Sequence, residues 1–369
     1  MEDIMPFRDI TRNDQGLVGI GVDLTEVCNR KCLTCFAAHT PRTMPYVTFA
    51  QIVDQAQAIG FPELYLLGGE PTLHPRIFDC LSYARDRFKV VILVTNMDRM
   101  AHVEFCRQVA NSGCVIAGQR HTLQWDGANA DMERLLTGGD HLHTSYRGWE
   151  NATKMFPPER VCVQCCITQP VVERGAIFDV FRWCRGMGYE PVMEFTKEGS
   201  EFKRGCALDV SPAAMLAVLK EFQRIDREEF DLPGADLLSP QAYGKTCHMQ
   251  ENSIHFRVDG TAIPCVGFPG LTYGHIATDG LSQILQNPLR AYIADPHTWI
   301  YGYCRDECPH FDRCTGGCRG SAFDMAGCYR ASFYYCPHVP RDRLTLADMI
   351  PPSCAGCPLE GNPTCHPRH

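Results

Sequence analysis

The densest chemistry in this chain lies in Cys28-Asn29-Arg30-Lys31-Cys32-Leu33-Thr34-Cys35-Phe36. Three thiolates so close together can hold three corners of a cubane iron–sulfur cluster, which normally takes four cysteines. The fourth iron is then free to bind a small molecule. Zinc is the competing chemistry. A structural zinc needs a fourth Cys or His to close its tetrahedron, and only His39 lies shortly downstream. A second reactive stretch is Gly68-Gly69-Glu70-Pro71, where two glycines let the backbone approach a ligand closely beside a carboxylate. A third is the C-terminal cysteine set: Cys247-x12-Gly260-x4-Cys265, then Cys304-x3-Cys308-x5-Cys314-x3-Cys318, and later Cys336.

Strands alternating with helices must position these groups. Residues 18–24 read as a first strand running directly into the cysteine loop. Thr48 can cap a helix whose Phe49, Ile52, Val53 and Ala56 share one face and which Gly60 stops. Leu64–Leu67 leads into Gly68, and a helix over 76–88 leads to the apolar strand 90–95, which ends in Thr95-Asn96. A helix over 101–111, strand-like segments 114–118 and 121–125, strand 161–167, a helix over 176–186 and strand 191–195 complete the series. This alternation implies a parallel sheet with right-handed crossovers. In parallel barrels, chemistry sits on the loops leaving the C-terminal ends of strands. The cysteine loop, the Gly-Gly-Glu-Pro turn and Asn96 all fall there. Gln124, at the end of another segment, is a further candidate for the pocket, while Asp126-Gly127 reads as a turn. Ser211-Pro212 starts a helix through residue 230 that bridges to the cysteine-rich region.

The chain has 369 residues, 45% hydrophobic and 21% charged, which is long enough for about two domains with a large core. A net charge of −8 argues against nucleic acid or an anionic membrane surface as the main partner. No apolar run approaches the roughly 20 residues needed to span a bilayer, and the N-terminus has no signal-peptide pattern. Without export, 22 cysteines suit clusters in a reducing compartment better than disulfides. The expected location is therefore cytoplasmic.

CxxxCxxC followed by an aromatic residue, with GGEP one βα unit later, resembles the radical S-adenosylmethionine (SAM) superfamily. The resemblance implies a partial (β/α)6 barrel followed by a loop-dominated, cysteine-rich domain. It also implies a SAM-binding 4Fe–4S cluster on Cys28, Cys32 and Cys35. Gly68, Gly69, Glu70, Asn96 and Gln124 become candidate SAM contacts, with Glu70 or the backbone carbonyls accepting from the SAM ammonium. For Asn96, capping of the following helix is an equal alternative.

The C-terminal set resembles the SPASM extension of that superfamily, with one departure: the spacing between Cys304 and Cys308 is one residue longer than the pattern. Carried over, Cys304, Cys308, Cys314 and Cys336 hold an outer auxiliary 4Fe–4S cluster, and Cys247, Cys265 and Cys318 hold an inner one. That makes three clusters in all. The eighth auxiliary ligand is Cys206, Cys328 or nothing at all. The implied domains are a barrel over 1–205, a bridging segment over 206–245, an auxiliary-cluster domain over 246–340 and a tail over 341–369. In the tail, Cys354, Cys357 and Cys365 read either as a further metal site or as packed residues. Cys80, Cys106, Cys114 and Cys184 sit in apolar contexts and read as core.

Along 161–168, alternation puts Cys162, Gln164, Cys166 and Thr168 on one face. The opposite face is apolar and meets the helices, so Gln164 and Cys166 point into the barrel. There Cys166 is a candidate hydrogen donor to a carbon radical, or simply small packing. The expected reaction is reductive cleavage of SAM to a 5′-deoxyadenosyl radical, followed by hydrogen abstraction that dehydrogenates or epimerises the substrate. An external one-electron reductant such as flavodoxin or ferredoxin is implied. Only 27 residues precede Cys28, too few for a leader-binding domain. This favours a small hydroxylated substrate (a sugar, cyclitol or aminoglycoside) over the alternative of peptide or protein maturation. The stretch Gly138–His143 reads as a solvated loop, with substrate contact as its other reading. An iron–sulfur electron carrier is the non-enzymatic alternative, but a carrier needs no SAM pocket.

Overall fold

The β-branched and aliphatic runs build a parallel sheet wrapped by helices. The computed structural model describes residues 11–195, 208–234, 252–268, 270–312, 314, 316–353, 355, 357 and 359–360. In chain order these form β1 (Gly19–Thr25), α1 (Tyr46–Ile59), β2 (Glu63–Gly68), α2 (Ile77–Arg85), β3 (Val90–Thr95), α3 (Val103–Asn111) and β4 (Val115–Gln119). They continue with α4 (Gly127–Thr137), α5 (Leu142–Met155), β5 (Val161–Ile167), α6 (Gln169–Glu173), α7 (Ala176–Met187), β6 (Glu190–Phe195) and α8 (Pro212–Glu229). The C-terminal part adds β7 (Ser253–Phe256), β8 (Thr261–Ile263), β9 (Gly274–His275), α9 (Gly280–Leu285), α10 (Pro288–Ala294), α11 (Tyr303–Asp306) and α12 (Arg319–Ala326).

Strand order among the described residues is β6-β5-β4-β3-β2-β1-β7-β8-β9. Strands β1 to β6 are parallel neighbours joined by helical crossovers, the partial (β/α)6 arrangement expected from the sequence. β7 lies parallel to β1, with Ser253 opposite Gly19, and β8 and β9 continue it as an antiparallel meander. The sheet therefore takes up strands from beyond the bridging segment.

Alternation divides each strand between two environments. Ile20, Val22 and Leu24 of β1 face the helices and are fully buried, leaving Gly19, Gly21 and Asp23 on the concave face. Ile92, Val115, Ala117 and Cys162 form an apolar floor on that concave face, with Tyr65, Val90, Val94 and Val192 packed against it. One residue pair further along, the concave face turns polar.

Local signals held in part. Phe49, Ile52, Val53 and Ala56 are the buried face of α1, and Gly60 ends it at φ 86°. The helix starts at Tyr46, however, with Pro45 as its cap and Thr48 already inside. Ser211 caps α8 by accepting from the Ala214 N–H. Residues 121–125 are not a strand. Thr122 and Gln124 turn on a local bond (Thr122 Oγ1 accepting from Gln124 N, 3.1 Å), and Asp126 caps α4 through the Asn129 N–H. Within the stretch read as a solvated loop, Gly138 ends α4 in the left-handed region, and Leu142 and His143 already belong to α5. Cys80, Cys106, Cys114 and Cys184 are core residues, as expected.

Candidate active site

The cysteine loop leaves the C-terminal end of β1 and is pinned on every side. At its base, Met44 N donates to Leu24 O (2.8 Å) and Glu26 N to Arg42 O (2.9 Å). The Arg42 guanidinium returns two bonds to the Glu26 carboxylate. In its middle, Lys31 N and Leu33 N donate to the carbonyls of Thr137 and Leu136 at the end of α4. Those carbonyls have no partner inside their own helix, so the loop satisfies a helix terminus while the terminus fixes the loop.

The Gly-Gly turn fits against this loop. Gly68 sits at φ 131°, and a Cβ there would collide with the Thr25 carbonyl. A Cβ on Gly69 would lie 2.6 Å from the Val27 carbonyl oxygen. Both glycines are thus required by the approach of the cysteine loop itself, in addition to any ligand. Glu70 is buried and almost spent: Oε1 accepts from Thr72 N, Thr72 Oγ1 and Thr95 Oγ1, and Oε2 from Asn96 N at 2.7 Å. Burial raises its carboxyl above the usual range, against the pull of those bonds. Glu70 is accordingly a strut that ties the end of β2 to the end of β3. Asn96 does not cap the following helix, and its side chain makes two other bonds. Its Oδ1 accepts from Asp98 N in a local turn, while Nδ2 donates to Asn29 of the cysteine loop at 2.8 Å.

Cys28, Cys32, Cys35, Gly69, Glu70 and Asn96 line one cleft of about 780 Å3. Gln119, Gln164, Cys166 and Glu194, from the polar end of the concave face, form its far wall. Gln164 and Cys166 therefore point inward as the alternation of β5 implies. Gln124 does not belong to the cleft. It is exposed and donates to Asp179 of α7 at 3.2 Å, because residues 121–125 turn outward to the cap of α4 and do not continue the sheet.

Beneath the cysteine loop lies a buried charge network that sequence reasoning missed. Arg30, between the first two cysteines, is 2% exposed. Its Nε and Nη2 bond the two oxygens of Asp98 at 3.0 and 2.5 Å, Nη2 also donates to Asn96 O, and Nη1 lies 3.7 Å from Glu133. Glu133 also meets His121 Nδ1 at 2.8 Å, and Gln119 Nε2 lies 3.1 Å from His121 Nε2. His141 Nδ1 reaches Asp98 at 3.1 Å. Burial disfavours the His121 cation, but Glu133 and Cys166 raise its pKa to about 9. The signal in the sequence was Glu133 itself, a carboxylate on the same helix stripe as the buried Asn129, Met132 and Leu136.

The thiols of Cys28 and Cys32 are pushed up by burial, which Arg30 partly offsets. His39 Nε2 lies 3.4 Å from Cys35 Sγ. Among the described residues, no three Cys, His, Asp or Glu side chains converge tightly enough for a single metal ion.

A second, small cavity has Cys304, Cys308, Cys314 and Cys336 all on its wall. These are the four cysteines expected to act together. Nearby, the Cys265 loop abuts the start of α12 so closely that a Cβ on Gly320 would strike the Gly267 carbonyl, and Cys318 is the residue immediately before that helix. Cys328 and Cys357 are buried. Cys206, Cys247, Cys354 and Cys365 lie outside the described residues.

Residues 22–170, which carry the cysteine loop, the Gly-Gly-Glu-Pro turn and five of the six barrel strands, match the family model described as the radical SAM superfamily. That match, together with the sheet and the cleft, makes this part of the chain a radical SAM domain, of the superfamily whose members use SAM and a 4Fe–4S cluster. The chain is similar to the antilisterial bacteriocin subtilosin biosynthesis protein AlbA of Bacillus subtilis (23% identical over 80% of this chain and 66% of AlbA). It is also similar to the mycofactocin maturase MftC of Mycobacterium ulcerans (24%, 82% of each). The AdoMet-dependent heme synthase of Methanosarcina barkeri is 29% identical over 87% of this chain and 96% of that protein. Among solved structures, anSMEcpe with bound AdoMet and Kp18Cys peptide shares the fold at TM-score 0.64 and 15% identity, covering 82% of this chain and 89% of that one. Streptococcus suis SuiB bound to its precursor peptide SuiA shares it at 0.62 and 18%, covering 83% and 74%. The chain spans just under two thirds of AlbA's length. Among the described residues, no helix is long and apolar enough to cross a membrane.

Proposed function

We propose that this protein is a radical SAM maturase that modifies a residue of a peptide or protein, with auxiliary iron–sulfur clusters in its C-terminal part. When bound and reduced, the cluster and SAM supply a 5′-deoxyadenosyl radical able to take hydrogen from an unactivated C–H bond. The chain's own residues do the rest. Cys28, Cys32 and Cys35 hold the cluster, and Gly69, Glu70 and Asn96 shape the SAM side of the cleft. The apolar floor formed by Ile92, Val115, Ala117 and Cys162 closes the barrel below and excludes water. Gln119, Gln164, Cys166 and Glu194 face the space left for substrate. Cys304, Cys308, Cys314 and Cys336 hold an outer auxiliary cluster, and Cys265 and Cys318, with Cys247, an inner one. An external one-electron donor such as flavodoxin or ferredoxin completes the requirement.

The observation that carries the radical chemistry is the convergence of the three-cysteine loop, Gly69, Glu70 and Asn96 on one cleft. What favours a peptide over the small hydroxylated substrate expected from the sequence is likeness to AlbA and MftC along most of the chain. The heme synthase relative, matched along nearly its whole length, supports a porphyrin substrate as a second reading. One assay separates them. Reconstituted, reduced protein with SAM is given a synthetic peptide pool, an iron porphyrin or a panel of sugars and cyclitols. Release of 5′-deoxyadenosine should rise above the uncoupled rate with peptides. A rise with only the porphyrin or only the sugars ends the maturase reading. Absence of 5′-deoxyadenosine under every condition ends the radical SAM assignment of the cleft.

A further inference from the structure

Arg319 opens α12, directly after Cys318, and is 1% exposed. Its guanidinium donates to backbone carbonyls: Nη1 to Ala331 O (2.6 Å) and Tyr329 O (3.2 Å), Nε to Gly317 O (3.3 Å) and Nη2 to Gly316 O. Among the described residues no carboxylate pairs with it. The groups whose charge acts on it are thiols, those of Cys304, Cys318, Cys314 and Cys328.

This is an incomplete electrostatic site. Carbonyl dipoles satisfy the N–H groups but supply no countercharge, and a guanidinium does not shed its proton at any ordinary pH. Burying an unpaired cation costs several kcal/mol. The contrast with Arg30 is direct, since Arg30 is equally buried but held by Asp98. What lies beside Arg319 is the cavity walled by Cys304, Cys308, Cys314 and Cys336, to which Gly316, one of its carbonyl partners, also belongs. A cubane held by four thiolates is anionic in both oxidation states and gains a further negative charge on reduction, and charge near a cluster is one of the levers that set its potential.

We infer that Arg319 is the built-in counter-ion of the auxiliary iron–sulfur site and raises its reduction potential, favouring acceptance of an electron. This rests on the auxiliary-cluster reading above. Arg319 acts through the cluster without touching substrate, so it is a positioning residue. The alternative is that it merely ties the 316–318 turn to the 329–331 segment.

The test uses anaerobically reconstituted protein carrying Cys32→Ala, so that only auxiliary signals remain, with Arg319→Met and Arg319→Lys added in turn. Midpoint potentials are read by redox titration followed by electron paramagnetic resonance. Arg319→Met should shift the auxiliary potential downward, whereas Arg319→Lys, which keeps the charge but loses most of the carbonyl bonds, should stay near the parent. Equal potentials in all three proteins overturn the inference. Urea unfolding of the same proteins stripped of iron gives a second reading. There Arg319→Met should be as stable as its parent or more so, because no cluster balances the buried cation. A large destabilisation in the iron-free protein identifies a structural tie and overturns the inference. A parent that binds no auxiliary iron overturns the cluster reading itself, and this inference with it.

Discussion

His121 Nδ1 and Glu133 Oε2 meet 2.8 Å apart, both buried, with the Gln119 side-chain amide on the imidazole's other nitrogen. The pair joins the far wall of the cleft, through Gln119, to the charge network under the cysteine loop, since Glu133 also faces Arg30 and Arg30 faces Asp98. Two cations and two carboxylates thereby neutralise one another beneath a site whose own thiols are pushed up by burial. Each contact in the chain has a measurable consequence.

The first concerns pH. Burial alone would lower the His121 pKa, but Glu133 and Cys166 outweigh it and carry it from 6.5 to about 9. A pKa raised on folding contributes stability that is complete below the unfolded value and is lost as pH rises through the folded one. Glu133 moves the other way. Burial would raise it, but His121 and Arg30 hold it below the usual carboxylate range, so its contribution is lost only in acid. Wild-type urea midpoints should therefore fall between pH 6.5 and 9 more steeply than those of His121→Gln. Parallel curves would show that the imidazole is not the titrating group.

Asp98 anchors Arg30, Asn29 and His141. Removing one partner of a buried ion pair typically costs about 3–5 kcal/mol, because the other charge is left uncompensated. Asp98→Ala should lower stability by that order in urea denaturation and reduce iron uptake at the cysteine loop. A loss of less than about 1 kcal/mol, as for an exposed pair, would remove Asp98 from the support of the loop.

Cysteine assignments are read by iron content. Cys32→Ala should abolish SAM cleavage while the auxiliary signals persist. Cys314→Ala should remove one auxiliary cluster, about four irons, and spare the first. If Cys314→Ala holds as much iron as wild type, the cavity walled by Cys304, Cys308, Cys314 and Cys336 is not a cluster site.

Cys166 faces the cleft from β5 beside Gln164. If its thiol returns hydrogen to a substrate radical, Cys166→Ala should still release 5′-deoxyadenosine but fail to form product with that hydrogen restored. Normal product from the variant leaves Cys166 as packing only. Cys166→Ser, similar in size but a poor hydrogen donor, should behave like the alanine variant.

Much of this was legible in the chain alone, because local rules fix local outcomes. Cysteine spacing, the Gly-Gly-Glu-Pro turn, the six strands and the left-handed stop at Gly60 each depend on residues close in sequence. Even the grouping of Cys304, Cys308, Cys314 and Cys336 was readable through its likeness to a known pattern. Only the tertiary structure decided which polar residues serve the cleft. Gln124 was placed there by its position after an expected strand, but the segment turns outward and gives it to Asp179. Arg30, Asp98, His121 and Glu133 come from four separate segments, and none announces its partners. Glycines at 68 and 69 read as room for a ligand, and the fold also needs them to admit the backbone of residues 25–27. Propensity and spacing act over a few residues, whereas burial and charge compensation act between segments that meet only when the barrel closes.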